Sequence, residues 1–248
     1  MVISPNKWLV FHQKNENAKH NLICFPFGGA AASVYRPLAK ELEQNCNVWS
    51  VQLPGRENRF AQPFVTEANV VAAAVFNEIK LLGLKSYSVF GHSMGSDLAL
   101  EFCRQVEAAG GKRPDTVILS GNKPPHVSHD KLWSESTDAS LIDHVLSLGG
   151  IPKDALTDKE FVAMYLKKIR CDYQLYESVK ISQPKPLASK LTVIYGSADP
   201  LLEIIDMKEW SKYSENGTKL VETEGGHFYF QPNCSRLASL IVDSMASE

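Results

Sequence analysis

Long apolar runs are missing from this chain, and so is an excess of charge of either sign. No hydrophobic stretch approaches the roughly 20 residues of a membrane-spanning helix, and residues 1–11 lack the basic-then-apolar pattern of a secretion signal. A formal net charge of −2 provides no basic face for nucleic acid. We therefore expect a cytoplasmic protein that binds neither membranes nor nucleic acid.

Cysteine is scarce and scattered. The five cysteines are odd in number, and none belongs to a Cys-x-x-Cys pair or a histidine-rich cluster. This spacing is typical of buried thiols in a reducing compartment, and it predicts neither a disulfide framework nor a metal site. The cysteines are Cys24, Cys46, Cys103, Cys171 and Cys234.

The chain is long enough for one large domain with a substantial core. Its 248 residues are 44% hydrophobic, which is ordinary for a soluble globular protein. Short apolar runs alternate with helical patterns up to about residue 120 and again after residue 186. The alternation predicts βαβ units, and hence an α/β fold with a mostly parallel central sheet and helices on both faces.

Between about Gly121 and Pro186 the alternation gives way to consecutive helical patterns. One covers residues 138–148, and a second is predicted to open at a capping box, Thr157-x-x-Glu160, and to run to about residue 176. We interpret residues 121–186 as an inserted helical lid subdomain over the site. The alternative is a pair of ordinary surface helices.

The most informative stretch is Tyr87–Gly95, where a strand-forming run ends in Gly-x-Ser-x-Gly and a helical pattern follows. This pattern predicts a strand, a sharp turn and a helix, with Ser93 at the apex of the turn and clear of the sheet. Gly91 and Gly95 are needed because a Cβ at either position would collide where the strand and the helix cross. Ser93 is therefore the predicted nucleophile.

Two further polar residues follow predicted strands. Asp199 comes directly after a buried strand, and His227 lies in a glycine-flanked loop after the next one. Because parallel strands end at one edge of a sheet, both residues are expected beside Ser93, in the chain order of α/β-hydrolases. A serine hydroxyl needs a base and a carboxylate that orients the base. We predict His227 as the base and Asp199 as the orienting carboxylate.

A loop of small residues, Pro26-Phe27-Gly28-Gly29-Ala30, follows the first core strand. Such a loop lets backbone amides face outward, as an oxyanion hole or a phosphate-binding loop requires. It lacks the Lys-Ser/Thr ending of a phosphate-binding loop, which favours the oxyanion hole. The backbone N–H groups of Phe27 and Met94 are the predicted donors, with Gly28 as the alternative to Phe27.

Other titratable residues compete for these roles. Asp97 lies one helical turn beyond Ser93 and is the alternative to Asp199, whereas His92 is interpreted as a packing residue of the turn. The remaining histidines fall near the exposed start of the chain or in the predicted lid. They are His12, His20, His126, His129 and His144.

Seven stretches spread over nearly the whole chain resemble the type II thioesterases that accompany nonribosomal peptide and polyketide synthases. Related enzymes release medium-chain acyl groups from fatty acid synthase. The stretches are Phe25-Pro-Phe-Gly-Gly29, Leu53-Pro-Gly-Arg-Glu-Asn-Arg59, Gly91-His-Ser-Met-Gly95, Leu148-Gly-Gly-Ile-Pro152, Ile169-Arg-Cys-Asp172, Tyr195-Gly-Ser-Ala-Asp199 and Gly225-Gly-His-Phe228.

The resemblance implies an α/β-hydrolase fold and a Ser93–His227–Asp199 triad, with the amides of Phe27 and Met94 as oxyanion donors. It also implies an editing enzyme that clears stalled or misprimed acyl groups from the phosphopantetheine arm of carrier proteins, without a metal or a dissociable cofactor. The carrier protein is expected to dock transiently on or near the lid, and a monomer is expected.

This chain departs from the family pattern in two places. Phe-Gly-Gly-Ala stands where x-Ala-Gly-Gly is common, which leaves open the amide that points inward. Ser96-Asp97 replaces a small apolar pair and alters the expected pocket floor.

The resemblance leaves several alternatives open. The nearest is a medium-chain acyl-carrier hydrolase that terminates fatty acid synthesis. A generic carboxylesterase or lipase, an acyltransferase or cyclising thioesterase, and a non-enzymatic ligand receptor built on the hydrolase fold are the others.

Overall fold

The computed structural model describes residues 8–13, 15–18, 20–127, 131–179, 183–231 and 234–246. His129 lies outside these ranges. The sequence predicts an edge strand over Lys7–Phe11, and Lys7 also lies outside them. Within them, seven strands form a single sheet. The strands are Leu9–Gln13 (β1), Asn21–Phe25 (β2), Asn47–Val51 (β3), Tyr87–His92 (β4), Thr116–Ser120 (β5), Lys190–Gly196 (β6) and Thr218–Thr223 (β7).

The strand order across the sheet is β1-β3-β2-β4-β5-β6-β7, and only the pairing of β1 with β3 is antiparallel among these strands. This confirms the predicted α/β architecture with a mostly parallel sheet. Every residue of β4 and β5 is buried. Both strands are buried throughout because helices cover both faces of the sheet.

Seven α-helices accompany the described strands. They are Arg36–Glu41 (α1), Ala68–Leu82 (α2), Met94–Ala108 (α3), Asp138–Ser147 (α4), Lys159–Glu177 (α5), Ile204–Lys208 (α6) and Cys234–Ala246 (α7). The helices α2 and α3 pack together over one face of the sheet, and α1 and α7 over the other. In the described part of the chain, no helix has the length and apolar character needed to cross a membrane.

Several helix ends differ from the expected ones. The sequence pattern predicts a helix over Val34–Glu43, but α1 is shorter, because a 3-10 turn (Ala32–Tyr35) precedes it and a proline lies in its first turn. The pattern also places Met207–Lys212 on a helix, and the structure divides this region between α6 and a 3-10 turn, Glu209–Tyr213. Short helices of this kind have too few residues to show a clear 3.6-residue period.

Between β5 and β6 the described residues form helices and turns, apart from Leu187, which makes an isolated parallel bridge to Ser214. We call residues 121–189 the inserted segment. Its helices α4 and α5 pack around a small apolar cluster of their own, formed by Leu141, Val145, Ile151 and Ile169. The predicted capping box at Thr157 is wrong. The cap of α5 is Asp158, whose carboxylate accepts from the amides of Glu160 and Phe161, because the chain before it is already wound into a 3-10 turn.

Candidate active site

Ser93 stands alone between a strand and a helix, since β4 ends at His92 and α3 begins at Met94. Its backbone has φ 53° and ψ −126°, a conformation that a residue with a side chain rarely adopts. The strained turn is anchored by the Ser93 amide, which donates to the carbonyl of Ser120 at 2.7 Å. The turn therefore presents the hydroxyl beyond the ends of the strands.

The two glycines of the turn leave no room for side chains. A Cβ on Gly91 would lie 2.1 Å from the carbonyl oxygen of Gly95. One on Gly95 would lie 2.3 Å from the carbonyl oxygen of Phe25, at the end of β2. The predicted steric reason for both glycines is confirmed, and the close crossing sets Ser93 next to the loop that follows β2.

Asp199 and His227 come together at the same edge of the sheet. Asp199 Oδ2 lies 2.8 Å from His227 Nδ1, and both side chains are buried. The other carboxylate oxygen, Oδ1, accepts from the amide of Leu201 at 3.0 Å. When His227 donates its Nδ1 proton to the carboxylate, Nε2 remains as an acceptor for a serine proton.

A close approach of two loops holds this pair. A Cβ on Gly196, the last residue of β6, would lie 2.5 Å from the carbonyl oxygens of Gly225 and Gly226. Only a glycine lets the loop that carries Asp199 pack directly on the loop that carries His227.

The residue before Ser93, His92, lies close to the aspartate–histidine pair. The ring of His92 has its centroid 5.0 Å from that of His227. Among the described residues, no hydrogen bond joins Ser93 Oγ to His227. Such bonds are often long without substrate and tighten in the complex.

The loop after β2 supplies free amides next to Ser93. The amides of Phe27 and Gly28 have no acceptor among the described residues, whereas the amide of Gly29 donates to Asp172 Oδ2 at 2.7 Å. Met94 is the first residue of α3, where helix amides lack acceptors within the helix. Phe27, Gly28 and Met94 thus remain the candidate oxyanion donors.

His92 is enclosed behind the turn. Its Nδ1 lies 3.0 Å from Ser120 Oγ, which in turn lies 2.8 Å from the hydroxyl of Tyr229. Burial, together with the nearby His227, lowers the pKa of His92 well below its usual value. A neutral, buried imidazole agrees with its interpretation as a packing residue.

The Asp97 side chain is bonded to Asn122 and not to His227. Its Oδ2 accepts from Asn122 Nδ2 at 2.9 Å, and burial raises the pKa of this carboxyl well above its usual range. The carboxylate that His227 contacts is therefore Asp199 and not the alternative, Asp97.

A chamber of about 230 Å³ opens next to Ser93, and the inserted segment supplies much of its wall. Within that wall, the ring of Trp133 stacks on His144 at 3.6 Å between centroids, and Lys131 Nζ lies 3.8 Å from the Trp133 ring centroid. Burial lowers the pKa of His144 to about 4, so the imidazole that stacks on Trp133 is neutral near pH 7. The lining residues are Gly28, Ser93, Met94, Asn122, Lys123, Lys131, Trp133, His144, Leu148, Ile169, Asp172, Tyr173, Tyr176, Leu201 and Leu202.

Sequence reasoning missed one connection at the site. Asp172 of α5 forms a buried ion pair with Arg56, which lies 116 residues earlier in the chain. A signal was present, because Asp172 falls between Ile169 and Leu175 on the buried face of α5. An aspartate on an apolar stripe requires a partner. Within the described ranges, no group of three or more histidine, cysteine or acidic residues could hold a metal ion.

Comparison with known proteins places this geometry in a family. A family model described as a thioesterase domain matches residues 20–245. The gramicidin S biosynthesis protein GrsT of Aneurinibacillus migulanus is 28% identical over 90% of this chain and 88% of its own. The human medium-chain S-acyl fatty acid synthase thioesterase is 28% identical over 87% of this chain and 83% of its own. The structure of BorB, the type II thioesterase of the borrelidin biosynthetic cluster, has a TM-score of 0.85 and 27% identity over 96% of this chain and 97% of its own.

Proposed function

The chain belongs to the thioesterase family and is a thioester hydrolase, and on this premise we propose that it acts on acyl groups carried by the phosphopantetheine arm of carrier proteins. Its role is to remove stalled or aberrant acyl groups during nonribosomal peptide or polyketide synthesis. The likeness to GrsT and to BorB supports this assignment, since both names refer to the biosynthesis of such products.

One observation carries the proposal. Ser93, on a strained turn, opens into a chamber walled by the inserted segment, while the bonded Asp199–His227 pair lies buried at the same edge of the sheet. A nucleophile, a base held in one orientation and free amides converge there, as acyl transfer requires.

In the proposed reaction, Ser93 Oγ attacks the thioester carbonyl as His227 Nε2 takes its proton. The negative charge on the carbonyl oxygen rests on the amides of Met94 and of Phe27 or Gly28. The tetrahedral intermediate collapses, and the phosphopantetheine thiol leaves with the proton from His227. His227 then activates a water molecule that hydrolyses the acyl-enzyme, and Asp199 holds the imidazole in the required tautomer throughout.

The inserted segment acts as a lid in this proposal, since it covers Ser93 and forms the acyl chamber. The chamber volume of about 230 Å³ lies below the roughly 300–1,000 Å³ of sites that enclose drug-sized ligands. This size favours short acyl groups. A hydrolase of medium-chain acyl carriers is the second candidate, and the likeness to the human fatty acid synthase thioesterase favours it.

The test compares hydrolysis of acetyl and octanoyl groups, each presented on a holo-carrier protein, on coenzyme A and as a simple oxygen ester, with products followed by mass spectrometry. We expect the highest kcat/KM for acetyl on the carrier. A preference for octanoyl would support release of fatty acids. Equal rates for the carrier-protein thioester, the coenzyme A thioester and the oxygen ester would indicate a generic carboxylesterase.

Ser93→Ala is the matched control, because it removes one oxygen atom and should leave the fold intact. We expect it to abolish hydrolysis. Hydrolysis by Ser93→Ala at the wild-type rate would refute the assignment of the nucleophile. If the wild type itself binds acyl groups saturably but hardly hydrolyses them, a ligand receptor is favoured. The monomeric state and the cytoplasmic location stay predictions.

A further inference from the structure

A buried ion pair joins the inserted segment to the loop that follows β3. Asp172 of α5 is 1% exposed and Arg56, in the loop after β3, is 5% exposed. Arg56 donates from Nη2 to Asp172 Oδ1 at 2.6 Å and from Nη1 to Oδ2 at 3.0 Å. A bidentate pair of this kind fixes direction as well as distance.

Both partners also bind the small-residue loop, residues 26–30. Asp172 Oδ2 accepts from the Gly29 amide at 2.7 Å, and Arg56 Nη1 donates to the Ala30 carbonyl at 2.7 Å. Two consecutive residues of the loop are thereby held at opposite ends of one ion pair. The candidate oxyanion donors, Phe27 and Gly28, come immediately before them.

Apolar contacts from α5 close on the same loop. A Cβ on Gly28 would lie 3.3 Å from Ile169 Cδ1, and one on Gly29, which has φ +82°, would lie 3.4 Å from Tyr165. The side chains of Ile169 and Tyr165 on α5 therefore lie close to this loop, in addition to the ion pair.

Stability alone does not explain why this buried pair is charged, because an apolar pair of similar volume is often as stable as a buried ion pair. What an apolar pair could not do is accept from the Gly29 amide and donate to the Ala30 carbonyl. Those two directional bonds occupy the Gly29 amide and hold the backbone that adjoins the Phe27 and Gly28 amides. Oxyanion donors act only within about 2.7–3.1 Å of the developing charge.

We infer that Asp172 and Arg56 are positioning residues for the oxyanion hole, so that the inserted segment is part of the catalytic machinery as well as a cover. The inference rests on the proposed function, in which the loop stabilises the oxyanion. Opening of the segment far enough to break the Asp172–Gly29 bond releases the loop, and the enzyme is competent only with α5 in place.

The test uses a double variant, Arg56→Met with Asp172→Leu, which removes both charges and leaves neither one buried without its partner. Asp172→Asn is the second variant, because its amide oxygen keeps an acceptor for Gly29. The matched control is Asp138→Asn, which loses another carboxylate that α5 binds, through Arg170 at 2.6 Å, outside the loop. Thermal unfolding establishes that each variant is folded.

Three quantities are measured: kcat and KM for a small acyl thioester, and the rate at which a fluorophosphonate phosphonylates Ser93. We expect kcat and phosphonylation of the double variant to fall together by about 10²-fold, since loosely placed oxyanion donors lose most of their effect. KM should change less than threefold. Asp172→Asn should fall between this variant and the wild type, and Asp138→Asn should stay within about twofold of the wild type.

A folded double variant that is phosphonylated at the wild-type rate would overturn the inference. If the double variant does not fold, Asp172→Asn decides, because its NH₂ group would face Arg56 Nη2 and break the bidentate pair. Wild-type kcat and normal phosphonylation in that variant would then overturn the inference. Phosphonylation needs no thioester, so a wild type that fails to hydrolyse thioesters would refute the proposed function without touching the positioning role.

Discussion

Asp199→Asn replaces a single oxygen atom at a position where both carboxylate oxygens are used. Oδ1 accepts from the Leu201 amide at 3.0 Å, and Oδ2 faces His227 Nδ1 at 2.8 Å. The Leu201 amide can only donate, so the asparagine must turn its oxygen to Leu201 and its NH₂ group to His227. A donor opposite Nδ1 moves the ring proton to Nε2, the atom that should accept from Ser93.

The expected loss follows from this change of tautomer. An imidazole protonated at Nε2 cannot take the serine proton, and the same substitution in serine proteases lowers kcat about 10⁴-fold. This factor corresponds to about 5.5 kcal/mol of transition-state stabilisation. KM should change little, because Asp199 does not line the acyl chamber.

The assay is the steady-state hydrolysis of a short acyl-coenzyme A by wild type, Asp199→Asn and Asp97→Asn. The last variant makes the same chemical change in a different buried aspartate, and it should lower kcat less than about tenfold because Asp97 bonds to Asn122. The reasoning is refuted if Asp199→Asn keeps more than a tenth of the wild-type kcat. An inactive Asp97→Asn variant beside an active Asp199→Asn variant would instead indicate Asp97 as the orienting carboxylate.

Three further predictions concern stability and specificity. Burial raises the folded-state pKa of Asp97 above the unfolded value of 3.8, so the unfolded chain releases this proton first and stability is lost as pH rises from about 4; urea unfolding should therefore show Asp97→Asn more stabilising at pH 8 than at pH 4. Gly95→Ala forces a Cβ to 2.3 Å from a backbone oxygen and should lower the free energy of unfolding by about 3 kcal/mol or more, and a normal unfolding midpoint would contradict this. Trp133→Ala enlarges the chamber and should raise the octanoyl-to-acetyl ratio of kcat/KM about tenfold, whereas an unchanged ratio would remove Trp133 from the acyl site.

Taken together, the inserted segment has two tasks in these proposals. Through Trp133 and its neighbours it shapes the space for the acyl group, and through Asp172 it holds the loop that stabilises the oxyanion. Substitutions of the first kind should change which thioester is hydrolysed, and those of the second kind should change how fast any thioester is hydrolysed. Measuring kcat and chain-length preference on one set of variants separates the two.

Local sequence determined the parts of the site that a few neighbouring residues specify. Gly91, Ser93 and Gly95 predict the turn because its steric demands lie within five residues. The placement of Asp199 and His227 after strands was predictable because parallel strands share one edge. The sequence only predicted that the two side chains contact each other, and the structure shows this contact at 2.8 Å. Their catalytic roles remain predictions.

Only the tertiary structure decided the contacts between distant segments. Arg56 and Asp172 each lie in a stretch that resembles the type II thioesterases. No sequence spacing predicts a contact between residues 116 positions apart. The competition between Asp97 and Asp199 was likewise decided by the fold, since both are buried carboxyls near Ser93 and only their direction differs. Short-range pattern specifies turns and strand ends because backbone sterics are local, whereas the direction of a side chain depends on what packs against it, and that is known only once the chain is folded.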